Sequence, residues 1–175
     1  MPAKLKRDTK ISGMKNPNRR TVLSVDDDEV NQMVISAFLE GAGYTIIQVY
    51  NGEDCLSYLD RAFGSEDEAT TIPDIVLLDV VMPGMNGFEV CREIRRRYPA
   101  SLPVIIISAA NMAKKDVIHA LKYSLANDYL TKPFDRAILL GKIEARTSLA
   151  DSIKSLSAHY REEYCHEMSR SFSSL

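Results

Sequence analysis

The chain has 175 residues, 45% of them hydrophobic, and its 22 basic and 24 acidic side chains leave a formal net charge of −2. That size supports one substantial core plus tails rather than two domains, and the near balance of charge gives no global pull toward nucleic acid or an acidic partner. Cys55, Cys91 and Cys165 lack CxxC spacing, which argues against a disulfide framework or a zinc site. No apolar run is long enough to span a bilayer, and no signal-peptide hydrophobic region follows the basic start, so a reducing cytoplasmic location is expected.

Residues 1–19 are rich in lysine and arginine and lack hydrophobic periodicity, the pattern of a disordered arm. Val22 to Val25 is a β-rich run that ends at the acidic triplet Asp26-Asp27-Asp28. A helix is predicted from Glu29 to about Ala42, with Asp28 as its N-cap and Gly41 and Gly43 at its end. It places Val30, Met33, Val34, Ala37 and Phe38 on one apolar stripe, the face such a helix turns to its core. Thr45 to Val49 reads as a second strand, and Gly52 to about Phe63 as a second helix. The polar stretch through Pro73 is a surface loop.

Ile75 to Leu78 is a third strand closed by Asp79. Proline and glycines in Val80-Val81-Met82-Pro83-Gly84-Met85-Asn86-Gly87 force a compact turn that brings backbone carbonyls near Asp79. A helix follows from Phe88 to Tyr98, with Phe88, Cys91 and Ile94 inward and Arg92, Arg95, Arg96 and Arg97 as its solvated face. Nucleic-acid contact there is not expected, because aromatic interleaving is absent. Val104 to Ile107 leads to Ser108. A fourth helix is predicted over Lys114–Ala126, with Val117, Ala120, Leu121 and Leu125 inward, before the strand Asp128 to Thr131 and Lys132.

From Asp135 a helical pattern runs to around Met168, beyond the needs of a domain this size. Its apolar residues, including Leu149, Ile153, Leu156 and Tyr160, would stay exposed unless a partner covered them, which suggests a homodimer through this segment. Arg146, Ser157 and Glu163 interrupt the seam. Ser169 to Leu175 reads as disordered. The expected division is therefore a basic arm over 1–19, a domain over 20–149, and a helical extension with a tail over 150–175.

Strands alternating with amphipathic helices imply right-handed crossovers and a parallel sheet buried on both faces. Such doubly wound sheets bind ligands beyond their strand C-termini, where Asp26, Asp79, Ser108 and Lys132 all fall. Three carboxylates, Asp26, Asp27 and Asp79, are costly together unless cations answer them. A divalent ion and Lys132 would do so, and an oxygen-only donor set suits Mg²⁺ better than zinc. Asp79 can accept a phosphoryl group whose oxygens are met by the cation, by Lys132 and by the Ser108 hydroxyl.

Val25-Asp26-Asp27-Asp28, Leu78-Asp79-Val80-Val81-Met82-Pro83-Gly84, Ser108-Ala109 and Asp128-Tyr129-Leu130-Thr131-Lys132-Pro133-Phe134 resemble, in order and spacing, the receiver domain of response regulators. The resemblance covers about Arg20 to Leu149 and implies a flavodoxin-like five-stranded sheet of order 2-1-3-4-5. It implies phosphorylation of Asp79 by a phosphohistidine of a partner histidine kinase or histidine phosphotransfer protein. Asp26, Asp27, Asp79 and the Val81 backbone carbonyl would hold Mg²⁺. It also implies a cis bond before Pro133, and a switch in which Ser108 moves toward the phosphoryl group while Tyr129 turns inward. Leu125 departs from the family pattern, standing where glycine is common. Val81 and Ala110 offer no polar group to orient an attacking water, so a long-lived aspartyl phosphate is expected.

Two other readings fit part of the pattern. An aspartate-nucleophile phosphohydrolase of the haloacid-dehalogenase type would need an aspartate two residues past the nucleophile, where Val81 stands. A receiver-like scaffold would bind partners without phosphorylation. No recognisable DNA-binding or catalytic pattern follows Leu149, which leaves open a stand-alone regulator or part of a larger protein.

Overall fold

The computed structural model describes residues 19–64, 70–109, 118 and 122–172, with side chains described as far as Arg161. Residues 1–18 of the predicted basic arm and most of the Lys114–Ala126 helix lie outside these residues, while Arg19 Nε donates to the Gly43 carbonyl at 2.6 Å. Ile118 and 122–124, which are described, are helical.

Five strands form one parallel sheet: β1 (Thr21–Val25), β2 (Thr45–Val49), β3 (Ile75–Asp79), β4 (Val104–Ala109) and β5 (Asp128–Lys132). All are parallel, as the alternating pattern implied, and their order is β2-β1-β3-β4-β5, as the resemblance implied. Because side chains alternate along a strand, the continuous apolar runs divide between two cores. Leu23, Val76, Leu78 and Ile106 pack under α2 (Gly52–Gly64) and α3 (Gly87–Arg97). Val22, Leu77, Ile105 and Ile107 pack against α1 (Glu29–Glu40) and the first half of α4 (Arg136–Phe172). Gly52 permits the close approach of α2 to α3, since a Cβ there would lie 2.4 Å from Val90 Cγ2.

The α1 helix begins as its sequence implied, with Asp28 Oδ1 accepting from the Val30 amide at 2.7 Å. Its orientation corrects the expectation. Ile35 and Leu39 are buried with Gln32, whereas Val30 and Met33 are 66% and 70% exposed, and Val34 and Ala37 are exposed as well. Of the expected stripe only Phe38 reaches the core. Gln32 is drawn inward because its Nε2 serves three backbone carbonyls, of Ser24, Asp26 and Val49, at 3.0–3.2 Å.

Arg95 does not belong to a solvated face either. Its guanidinium donates to the carbonyls of Leu125 and Leu102 at 2.9 and 2.8 Å and to Asn127 Oδ1, stitching α3 to the loops around β4 and β5. Leu125, expected to point inward, is 64% exposed and adopts φ 57°. The last helix continues through Phe172, so Ser169–Phe172, expected to be disordered, are helical. At 37 residues it is about 55 Å long. Leu139, Ile143 and Ala150 are buried against the domain, while Leu149, Ile153, Leu156 and Tyr160 are exposed.

Candidate functional site

The carboxyl ends of four strands converge because the sheet order sets β3 between β1 and β4. Asp26 follows β1, Asp79 ends β3, Ser108 lies near the end of β4, and Lys132 ends β5. Parallel registry pairs Asp79 with Ile107 and Ala109 with Lys132, so neighbouring strand ends are level. Asp26, Asp79 and Ser108 are buried, and Asp27 is exposed at the rim.

Each carboxylate is held by identifiable donors. Lys132 Nζ donates to Asp79 Oδ1 at 2.5 Å and to Asp26 Oδ2 at 2.8 Å. Asp79 Oδ2 accepts from the Val81 amide at 2.7 Å. Asp26 Oδ1 accepts from the Asp28 amide at 2.9 Å and from Asn31 Nδ2 at 3.3 Å. Asn31 and Gln32 went unnoticed in the sequence. Asn31 lies one helical turn past Asp27, which was a usable signal, whereas the role of Gln32 depends on how the ends of β1 and β2 meet.

Burial lifts the Asp79 carboxyl above its ordinary value, and the Lys132 ammonium and the Val81 amide offset part of that rise. For Lys132, burial acts to lower the pKa, but hydrogen bonds and charge attraction to Asp26 and Asp79 outweigh it, so the ammonium is held above its ordinary value. The charged form of Lys132 is therefore built into the site.

Gly87 fixes the turn after Asp79. Its amide donates to the Val80 carbonyl at 3.0 Å, and an added Cβ would collide with the Asp79 carbonyl oxygen. Asn86 and Glu89 form a capping box at the start of α3. The Lys132–Pro133 peptide is cis, as the resemblance implied. Tyr129 points outward at 45% exposure, with Lys142 Nζ 6.0 Å from its ring centroid. Val81 is 67% exposed, and Ala110 lies outside the described residues.

Carboxylate oxygens of Asp26, Asp27 and Asp79 lie within 4.8 Å of one another. Oxygen donors of one sign at that spacing fit a hard divalent cation, which would draw charge away from adjacent phosphoryl oxygens. A zinc ion would call for histidine or cysteine donors instead. Among the described residues no helix is long and apolar enough to cross a membrane.

A family model described as the response regulator receiver domain matches residues 22–144. Solved structures agree with it. The signal receiver domain of a signal transduction histidine kinase from Syntrophus aciditrophicus is 27% identical with a TM-score of 0.62, covering 74% of this chain and 90% of that one. A CheY-like response regulator receiver domain protein from Methanospirillum hungatei JF-1 is 28% identical, with a TM-score of 0.61 and coverage of 75% and 97%. The Vibrio cholerae chemotaxis protein CheY4 is 26% identical, with a TM-score of 0.60 and coverage of 73% and 98%. With motifs, sheet order and a match over more than half its length in agreement, the chain belongs to the response regulator receiver domain family.

Proposed function

We propose that this receiver, spanning residues 20–149, is a phosphoacceptor switch in which Asp79 takes a phosphoryl group from a phosphohistidine of a partner histidine kinase or histidine phosphotransfer protein. The observation that carries the proposal is the Asp79 carboxylate fixed at both oxygens, by Lys132 Nζ and by the Val81 amide, beside the oxygens of Asp26 and Asp27. An Asp79 oxygen forms the new P–O bond as the P–N bond breaks, and the bonding pair returns to the imidazole nitrogen. Lys132 neutralises charge on the transferred group, and the Ser108 hydroxyl meets another of its oxygens. Asp26, Asp27, Asp79 and the Val81 carbonyl would hold Mg²⁺.

The donor must bring its imidazole to the crevice mouth, and the exposed face of α1 adjoins it. Val30, Met33, Val34 and Ala37 offer apolar area of the kind that covers a partner helix, starting one turn after the Asp26-Asp27 pair. Phosphorylation adds negative charge beside Lys132 and Ser108, and Ser108 and Tyr129 would relay it to the surface formed by β5 and α4. The extension of α4 suits self-association. Cys55 and Cys91 are free, fully buried thiols, which supports a reducing cytoplasmic setting.

Intact mass after incubation with acetyl phosphate, with and without Mg²⁺, tests the reading. One phosphoryl group, added only with Mg²⁺ and lost in Asp79→Asn, is the expected result. Continuous release of inorganic phosphate over many turnovers would indicate a phosphohydrolase instead, and no labelling at all would leave a phosphorylation-independent scaffold.

A further inference from the structure

The residues that interrupt the apolar pattern of α4 have a pattern of their own. Steps of three and four place Leu149, Ile153, Leu156 and Tyr160 on one stripe, and all four are 49–68% exposed. Continuing the same steps backward reaches Arg146 and Lys142, and continuing forward reaches positions 163 and 167, both glutamate. The stripe is thus a heptad seam with two positions in every seven residues, basic at its start, apolar in the middle and acidic at its end. It runs beside the face that Leu139, Ile143 and Ala150 bury against the domain, so the domain leaves its apolar middle, Leu149 to Tyr160, uncovered.

The basic end carries excess charge. Lys142 Nζ and the Arg146 guanidinium both pair with one carboxylate, that of Asp128, at 2.7 and 2.9 Å, and both keep about a third of their side-chain surface exposed. Two cations and one anion leave a net positive patch at this end of the helix.

We propose that α4 is the interface of an antiparallel homodimer. Setting Ile153 against the partner's Leu156 also sets Leu149 against the partner's Tyr160. The same register brings Arg146 opposite the partner's Glu163 and Lys142 opposite the partner's Glu167. A two-fold axis between positions 154 and 155 generates each pair twice, as an isologous interface requires. A parallel dimer would instead stack arginine on arginine and glutamate on glutamate at both ends, so the charge order selects the antiparallel arrangement. The two receiver domains then lie at opposite ends of the helix pair. The partner's acidic end comes to the Asp128 cluster, beside Tyr129, which would couple self-association to β5.

This inference rests on the self-association reading above but not on phosphorylation. Two measurements on the full chain test it. Light scattering is expected to give twice the 19.6 kDa of one chain, and Ile153→Asp to halve that mass, because Ile153 is exposed within one chain and contributes only to the seam. A spin label at Ser169→Cys, in a Cys165→Ser background, reports direction. Cys55 and Cys91 stay unlabelled, being fully buried, with the Cys55 thiol pushed up to about 12 by burial. In the antiparallel register the two labels stand about 43 Å apart along the helix axis at 1.5 Å per residue. A dimer with a label separation near that value supports the proposal. A dimer whose labels lie within about 20 Å, as parallel helices of this diameter require, overturns the proposal while self-association stands. A monomeric mass at all concentrations overturns both, and a dimer unaffected by Ile153→Asp overturns the seam.

Discussion

Lys132 reaches Asp79 from two strands away, its ammonium 2.5 Å from Asp79 Oδ1 while it also holds Asp26 Oδ2. One cation thus answers two buried carboxylates that would otherwise face each other uncompensated. Lys132→Met is expected to slow labelling of Asp79 by acetyl phosphate by about 10²–10³-fold, the scale of losing one preorganised charge partner. Circular dichroism would establish that the variant is folded, and an unchanged labelling rate would remove Lys132 from the chemistry.

The exposed Val81 side chain stands two residues past Asp79 with nothing polar to orient a water. Val81→Asn supplies such a group and is expected to speed loss of the aspartyl phosphate about tenfold, a small part of what general-base assistance can contribute. The half-life of phosphorylated protein, followed by intact mass, checks this.

Leu125 holds φ 57°, a conformation that costs a residue with a Cβ roughly 1–2 kcal/mol, while Arg95 pins its carbonyl at 2.9 Å. Leu125→Gly relieves that cost, loses some conformational restriction of the unfolded chain, and sacrifices little packing because the side chain is exposed. A net gain of about 0.5–1 kcal/mol is expected by urea denaturation. A loss of stability would mean that the leucine side chain makes a contact worth more than the strain.

Asp128 accepts from Lys142, Arg146 and its neighbouring Tyr129 amide. Burial pushes its carboxyl upward, but these donors outweigh burial and hold it below the ordinary value of 3.8. A carboxylate depressed in the folded state contributes stability above that ordinary value and loses it as the pH falls through the folded one. Asp128→Asn is therefore expected to cost about 1–3 kcal/mol at neutral pH, with the difference from the unsubstituted protein vanishing in acid. Denaturation at a series of pH values would show it, and a difference independent of pH would contradict it.

Five parallel strands and the convergence of Asp26, Asp79, Ser108 and Lys132 were legible because four of the five apolar runs close on a chemically distinctive residue, while the β2 run ends at Val49. A doubly wound sheet then brings strand ends together whatever the loops contain. Asp28 was legible as a cap because capping is settled within one helical turn. The face of α1 was not. Periodicity reports that an apolar stripe exists, but Ile35 and Leu39 compete with Val30, Met33 and Val34, and the carbonyls that accept from Gln32 lie on the side that turns inward.

Arg95 looked like one of four equivalent surface arginines, since its acceptors at Leu102, Leu125 and Asn127 lie far along the chain and meet it only after α3 docks. The candidate site residues and the parallel alternation of strands and helices were legible in the sequence alone through local pattern, and the order of the sheet through the resemblance to receiver domains. Which polar side chains are buried, which apolar face stays exposed, and how the two carboxylates share one lysine were decided by tertiary packing. Those outcomes depend on hydrogen-bond partners and charges brought together from distant segments.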